Sequence, residues 1–176
     1  MPRLPASRRS GLDDALAVEL AAVVTGARRR ALRDGDRQID TAHLLHSLVE
    51  TDPEVGAAFD GGHQLARVLG YLVQRSIGYG LRWQRSVEDT GSALPVVRAG
   101  ADSAAAGWSP AAAAALAGAF ERAARRGDRR VRGLDLLAAL AADPDSRAVE
   151  VLRKAGVDPV VLAGRTGPAG GPSQQV

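Results

Sequence analysis

Three histidines are the side chains best suited to bind a metal in a chain that has no cysteine. His43 and His46 are three residues apart on one predicted helix, and His63 follows the next break in the pattern. Imidazole is a frequent zinc ligand, so the three could form a metal site. The alternative is that His43 packs at a helix start while His46 and His63 lie at the surface. We favour this alternative and predict no metal, because two of the three histidines have no counterpart in the second copy of an internal repeat described below.

Two arginine clusters, 28–33 and 122–132, could contact the phosphates of a nucleic acid. Both clusters fall at the ends of predicted helices, where cations interact favourably with the helix dipole. Aromatic residues that could stack on bases are lacking nearby. The formal net charge is only +3, and every basic residue except Lys154 is an arginine. A basic DNA-associated regulator is therefore the outside alternative, and nucleic acid is not the expected partner.

Motifs for catalysis and nucleotide binding are missing from the sequence. It contains no G-x-x-x-x-G-K-[ST] loop, no G-x-S-x-G elbow and no H-E-x-x-H pair. The absence of cysteine excludes disulfides, thiolate zinc sites and cysteine nucleophiles. Acidic residues fall mainly at predicted helix starts, where capping explains them. We predict that the chain is not an enzyme and uses no cofactor.

Large aromatic side chains cluster in or beside a stretch that lacks helical periodicity. They are Tyr79, Trp83 and Trp108. Amphipathic aromatics outside the helical pattern are typical of contact surfaces. The alternative is that the stretch folds back and that these rings fix it in the groove between two repeats.

The elements that position these residues follow from an internal repeat. The segment IDTAHLLHSL at Ile39–Leu48 returns as VRGLDLLAAL at Val131–Leu140, and each copy follows a Gly-Asp-Arg lead-in at the same offset. Two copies of one supersecondary unit are expected to bury each other's apolar faces. We predict an all-α fold of two four-helix repeats related by a pseudo-twofold axis.

Apolar periodicity and capping signals place eight helices in the chain. A composition of 45% hydrophobic and 3% aromatic residues suits close-packed Leu and Ala helices. The predicted helices cover about 12–33, 41–50, 53–59, 63–77, 110–126 and 133–142, then one opened by Asp143-Pro144 and ended by Gly156, and one opened by Asp158-Pro159. The predicted organisation is a flexible lead (1–11), a first repeat (12–77), an irregular linker (78–107), a second repeat (108–165) and a disordered tail (166–176).

The first residues lack the apolar stretch of a secretory signal, and no segment holds the roughly 18 uninterrupted apolar residues of a membrane span. We therefore expect a soluble, cytoplasmic protein without a membrane partner.

The chain resembles the N-terminal domain of Clp-type chaperones such as ClpA, ClpB and ClpC over residues 12–165. The family run I-G-T-E-H-[IL]-L-x-G-L corresponds to Ile39–Leu48, and the second copy keeps only the apolar frame. The resemblance implies a module that binds substrates, adaptors or tagged proteins for an AAA+ ring, and the ring itself is not present in this chain. Some ClpC-type relatives recognise phosphoarginine through the Glu of each copy. Ala42 and Leu134 stand at those positions and cannot pair with a guanidinium, which argues against that mechanism.

These arguments predict a standalone, non-enzymatic module that binds a protein or peptide. Its expected partners are a Clp ATPase, an adaptor, a substrate protein or a peptide-like small molecule, and its role is that of an adaptor, competitor or decoy linked to a Clp protease system. A second possibility is sequestration of cyclic peptides directed at Clp. The candidate partner-binding residues are Thr41, His43, His46, Tyr79, Trp83 and Trp108.

Overall fold

The computed structural model describes residues 18–77, Glu88 and residues 107–167, and every regular element within these ranges is a helix. The all-α prediction is confirmed. The helices are α1 (Val18–Asp34), α2 (Thr41–Thr51), α3 (Pro53–Ala57), α4 (Gly61–Ser76), α5 (Pro110–Arg125), α6 (Gly133–Ala142), α7 (Arg147–Lys154) and α8 (Pro159–Arg165). In these described ranges, no helix is both long and apolar enough to cross a bilayer. The predicted lead, the start of the first helix, the linker apart from Glu88 and Gly107, and the tail beyond 167 lie outside them.

The helix ends follow the capping signals in the sequence. Gly35, Gly127 and Gly156 have positive φ angles of 69°, 75° and 78°, which L-residues with side chains rarely adopt, and each follows the end of a helix. At the starts, the Asp52 and Ser109 side chains accept hydrogen bonds from backbone N–H groups of α3 and α5, and a proline follows each cap. Such caps contribute about 1 kcal/mol each.

Three boundaries differ from the predicted ones. Helix α3 stops at Ala57, and Phe59 lies beyond it but is still buried. Helix α4 begins at Gly61, so the glycine pair opens this helix instead of preceding it. Helix α7 begins at Arg147 because the Ser146 hydroxyl accepts from Val149 N–H, so the Asp143-Pro144 pair ends α6 and does not start α7.

The core is built around the two copies of the repeat helix. Helix α1 packs along α2 and α5 packs along α6, so α2 and α6 each pack against the apolar face of a long helix. The corresponding leucines of the two copies are fully buried: Leu44, Leu45 and Leu48 in α2, and Leu136, Leu137 and Leu140 in α6. Burying one such side chain contributes about 1.5–3 kcal/mol.

The two halves contact each other through the starts of their helices. The Ile39 N–H donates to the Gly107 carbonyl at 2.7 Å, and the Ser109 N–H donates to the Ile39 carbonyl at 2.9 Å. Helix α2 also contacts α7, and α3 contacts α6. These reciprocal contacts are of the kind that a pseudo-twofold arrangement produces, and the rotation itself stays a prediction.

Candidate functional site

The structure separates the six residues predicted to bind a partner. Thr41, His43 and His46 lie on α2 and are all buried. Trp108 is only 3% exposed and packs in the core, so its ring does not lie on a surface that a partner could reach. Tyr79 and Trp83 lie outside the described residues. Among the four of these residues that the structure describes, Thr41 alone lines both a groove and a polar cluster, as described below.

His43 connects the start of α2 to the turn that follows α1. Its Nδ1 accepts from the Asp40 N–H at 3.0 Å, which completes a capping box with the Asp40 side chain. Its Nε2 lies 2.7 Å from Asp36 Oδ2. Burial lowers the pKa of His43, but the hydrogen bonds to Asp36 and Asp40 outweigh it and raise the pKa above its ordinary value. The prediction that His43 is a packed helix-start residue is confirmed.

His46 is buried between α1 and α2, so the expectation that it lies at the surface is wrong. The Arg30 guanidinium donates to His46 Nδ1 at 3.3 Å, and His46 Nε2 lies 3.0 Å from Glu50 Oε1. Arg30 and Glu50 also form an ion pair across the same helices. Burial and the Arg30 charge lower the pKa of His46 to about 4, so the ring is neutral at pH 7. His63 lies in the first turn of α4 and is exposed, as expected for a surface residue.

Asp34, Asp36 and His43 place one potential metal-ligand atom each within 4.8 Å of one another. Their oxygens already have partners in the protein. The Ser76 hydroxyl lies 2.9 Å from both Asp34 carboxylate oxygens, and the Arg75 guanidinium lies 3.7 Å from Asp36 Oδ2. A guanidinium beside the cluster repels a cation, so the arrangement fits a set of ion pairs better than a metal centre.

Thr41 lies where the starts of three helices meet, and the Glu88 carboxylate fills the space between them. Glu88 Oε1 accepts hydrogen bonds from the Thr41 N–H at 3.0 Å and from the Ser109 hydroxyl at 2.8 Å. Glu88 Oε2 accepts from the Thr41 hydroxyl at 2.5 Å and from the Arg147 N–H at 2.7 Å. Four donors thus converge on one buried carboxylate. We call these four residues, Thr41, Glu88, Ser109 and Arg147, the Glu88 junction.

The donors of the Glu88 junction are all helix-start groups. Thr41 and Arg147 are the first residues of α2 and α7, and Ser109 is the N-cap of α5. Because helix N-termini carry partial positive charge, this location favours an anion. The two hydroxyls are also oriented: Thr41 Oγ1 accepts from the Ala148 N–H and Ser109 Oγ from the Ala112 N–H, both at 3.0 Å. Each hydroxyl proton is therefore directed at Glu88.

A buried ion-pair network adjoins the junction. Asp40 is fully buried, and its Oδ2 accepts from the Arg147 guanidinium at 2.7 Å and also from the Arg75 guanidinium. The network joins α2, α4 and α7. Burial alone would raise the pKa of Asp40, but His43, Arg75 and Arg147 hold that pKa far below its ordinary value. Asp40 therefore stays ionised throughout the physiological pH range.

A groove lies between α5 and α6, and Thr41 is one of the residues that line it. It encloses about 260 Å³. Its lining includes Thr41, Ala111, Ala114, Ala115, Gly118, Arg122, Arg125, Ala139, Leu140, Ala142 and Asp143. The floor is made of small side chains, while two arginines and one aspartate add charge. We call this feature the α5–α6 groove. A concave groove of this size with a mixed lining is better suited than a flat surface to bind a short stretch of extended peptide.

Several arginines of the two basic clusters form intramolecular ion pairs. Arg30 pairs with Glu50, and Arg126 contacts both oxygens of Asp135 at 2.5 and 2.8 Å. Burial raises the pKa of Asp135, but the hydrogen bond from Arg126 outweighs it, and the net pKa is lowered. These arginines act within the fold, as expected from their places at helix ends.

Sequence reasoning missed four members of the site as site residues: Asp40, Glu88, Ser109 and Arg147. Asp40 and Ser109 carried visible capping signals, but these signals do not tell what else a cap contacts. Glu88 lies in a stretch without periodicity and has no pattern of its own. Arg147 is an unremarkable arginine in the sequence, and only its burial beside Asp40 gives it a role.

Comparison with known proteins gives a family match for residues 108–167 and a similar fold for most of the chain. Residues 108–167 match the Clp repeat (R) N-terminal domain family. The fold is similar to the N-terminal domain of the caseinolytic protease associated chaperone ClpD from Arabidopsis thaliana, at 15% identity over 87% of this chain and 92% of that chain, with a TM-score of 0.59. It is also similar to a chain solved in structural investigations of a malarial protein secretion system, at 15% identity over 86% of this chain and 92% of that chain, with a TM-score of 0.56. Comparison with curated protein sequences gives no match.

Proposed function

We propose that this chain, a Clp repeat N-domain-like protein, is a non-catalytic module that binds a peptide or protein segment in the α5–α6 groove. Its partners would be a Clp ATPase, an adaptor or a substrate protein, and its role would be that of an adaptor, competitor or decoy in a Clp protease system.

The observation that carries the proposal is the position and lining of the groove. It lies largely within residues 108–167, the part that matches the Clp repeat family. The small side chains of Ala111, Ala114 and Ala115 leave room above the backbone of α5 for a bound chain. Gly118 instead allows α5 to approach α6 closely, since a Cβ there would lie 3.3 Å from Ala139 Cβ. Arg122 and Arg125 can pair with acidic side chains of a ligand, and Asp143 with a basic one.

The histidines do not support a catalytic role. Both rings on α2 contact charged residues of neighbouring segments and lie away from the groove lining. A general acid or base must reach the atom that it protonates or deprotonates, so these buried rings are poorly placed for such work.

Neighbouring alanines on α5 provide a matched pair of variants. Ala113 and Ala114 are both exposed, but only Ala114 lines the groove. We expect Ala114→Trp to fill the groove and Ala113→Trp to leave it open. A tryptophan at either position extends outward from the same helix, so the effects on helix stability are comparable.

The experiment selects peptides against the wild-type chain from a displayed random library and then measures Kd for the selected peptides by fluorescence polarisation. We expect Ala114→Trp to weaken binding at least about tenfold, or about 1.4 kcal/mol, with Ala113→Trp close to wild type. Equal Kd values for the two variants would contradict the groove assignment. The same variants test the second possibility, since a Clp-directed cyclic peptide that binds here should lose affinity in the same way.

A further inference from the structure

A second cavity, lined by arginines, adjoins the α5–α6 groove where α5 ends. It encloses about 290 Å³, and its lining includes Arg122, Arg125, Arg126, Asp135, Thr166 and Gly167. We call this feature the arginine pocket. Arg122 and Arg125 line the groove as well, so the two cavities share a wall. A side chain of a ligand in the groove can therefore reach the pocket.

The positive charges of the arginine pocket are only partly compensated within the chain. The buried Asp135 binds Arg126 through both carboxylate oxygens, so it neutralises one guanidinium. Arg125 lies 3.9 Å from Glu121, and the two side chains are 74% and 73% exposed, where an ion pair contributes little. Arg122 is half-buried, and its guanidinium forms no hydrogen bond or ion pair within the part of the chain that the structure describes. The pocket thus has an excess of positive charge.

The three arginines also lie close together on α5. Arg122 precedes Arg125 by three residues and Arg126 by four, and side chains at these spacings are neighbours on a helix. Like charges at such spacings destabilise a helix, although the helix dipole favours cations near its C-terminal end. A carboxylate or phosphate between the guanidinium groups would remove the repulsion and accept charge-assisted hydrogen bonds from them.

The α5–α6 groove has opposite charges at its two ends. Helices α5 and α6 run antiparallel, since Gly118 lies beside Ala139 while Arg126, further along α5, contacts the earlier residue Asp135 of α6. Asp143, which follows α6, therefore lies near the start of α5, and the arginine pocket lies near its end. A ligand in the groove meets a negative charge at one end and several positive charges at the other.

We infer that the arginine pocket is the specificity site of the groove and binds an acidic side chain of the bound peptide, either a carboxylate or a phosphate monoester. This inference rests on the proposed function for the presence of the peptide. The groove residues of α5 extend from Ala111 to Arg125, about 21 Å at 1.5 Å per residue. An extended segment of about six residues covers that length. The preferred ligand carries an acidic residue at one end of such a segment and none at the end that faces Asp143.

The first test uses a peptide that the wild-type chain selects and Ala114→Trp excludes. The residue at its most enriched acidic position is made glutamate or glutamine, and Kd is measured by fluorescence polarisation. We expect the glutamine form to bind wild type at least about fivefold more weakly than the glutamate form. The difference should shrink in about 1 M salt, where the Debye length is about 3 Å. Selected peptides without an enriched acidic position, or equal binding of the two forms, would overturn the inference.

Exchange of charges separates a direct contact from attraction by net charge. For Arg122→Glu, we expect a reversed preference, with a lysine form of the peptide at least about fivefold tighter than the glutamate form. Arg129→Glu is the matched control, because it makes the same change in net charge at an exposed position that lines neither cavity. It should keep the wild-type preference. A shift of equal size in both variants would contradict the contact at Arg122.

A phosphoserine form of the peptide distinguishes the two acidic groups. Tighter binding of phosphoserine than of glutamate would identify phosphorylated segments as the ligand, and the opposite order would identify segments rich in Asp or Glu. If neither form bound better than glutamine, the pocket would not be a specificity site.

The thermal stability of Arg122→Gln tests whether Arg122 serves the fold instead. Its guanidinium has no partner in the described residues, so the Tm of this variant should stay within about 2 °C of wild type. A decrease of more than about 6 °C would show a structural role and overturn the assignment.

The outcomes separate this inference from the proposed function. If Ala114→Trp blocks binding but Arg122→Gln keeps the preference for glutamate over glutamine, the arginine pocket is refuted and the groove is supported. If the preference depends on Arg122 in peptides that bind Ala114→Trp as well as wild type, the pocket is supported and the groove is refuted.

Discussion

Replacing Asp40 by asparagine tests whether the buried charge network holds the two halves of the chain together. Asparagine is as good an N-cap as aspartate, so the hydrogen bond from the His43 N–H to the residue-40 side chain can persist. The change removes the negative charge that Arg75 and Arg147 contact, while the size of the side chain stays the same.

The expected cost follows from the burial of the network. Asp40 is fully buried, and the side chains of Arg75 and Arg147 are only 8% and 10% exposed. Breaking a buried ion pair by removing one partner costs about 3–5 kcal/mol, because the remaining charge stays buried and loses its closest counter-charge. For a chain of this size, 1 kcal/mol corresponds to about 2–4 °C in Tm, so a decrease of roughly 6–20 °C is expected.

Urea and thermal unfolding of wild type and Asp40→Asn at several pH values provide the assay. The pKa of Asp40 is lowered in the folded chain. Its charge therefore stabilises the fold at every pH above the unfolded value of about 3.9, and this stabilisation is lost as the pH falls through the folded value. The stability gap between the two proteins should widen as the pH falls through the pKa of His43, because Asp40 contributes to the raised pKa of that residue, and it should narrow in strong acid as Asp40 itself is protonated.

Asp158→Asn is the matched control, because Asp158 caps α8 in the same way from an exposed position. We expect it to change the free energy of unfolding by less than about 0.5 kcal/mol. If Asp40→Asn were as mild as this control, or if the gap did not narrow in strong acid, the charge of Asp40 would not be what joins α2 to α4 and α7.

Two further substitutions test other contacts. Gly133→Ala should destabilise the chain by about 1–3 kcal/mol in urea unfolding, because a Cβ there would lie 2.0 Å from Asp52 Oδ2. The control is Gly62→Ala, at an exposed position where a Cβ would have no atom within 4 Å. Equal effects of the two substitutions would refute the contact. The second substitution is His46→Gln. We expect wild type to lose stability relative to this variant, on the order of 2 kcal/mol in total, as the pH falls from about 6.5 towards about 4. The reason is that the lowered pKa of the buried His46 keeps the folded ring neutral while the unfolded chain takes up a proton. A difference between the two proteins that is independent of pH in this range would show that His46 titrates normally.

The fold could be predicted to a large extent because its signals are local. Apolar periodicity, proline after a cap and glycine after a helix end act within a few residues, so they can be interpreted from the sequence. The start of α7 shows the limit of this approach. Asp143-Pro144 and Asp52-Pro53 give the same local signal, but Ser146 competes for the role of cap, and the later start is the one that aims the Arg147 N–H at Glu88.

The two copies of the repeat share a helix-capping interaction that different residues make. His43 and Asp135 occupy the same position of the repeat helix, and each accepts a hydrogen bond from the backbone N–H three residues before it. Their charged partners differ: Asp36 contacts His43, whereas Arg126 contacts Asp135. Comparing the sequences of the two copies therefore shows only the shared apolar positions. The polar residues differ in chemical type, although they keep the same role in capping.

The candidate site was harder to predict because its parts meet only in three dimensions. Thr41, Ser109 and Arg147 are separated by tens of residues, and each has an ordinary local role at a helix start. What makes them a site is that three helix starts face one point, where a charge of the right sign is stabilised by all three. A single aperiodic glutamate supplies that charge here.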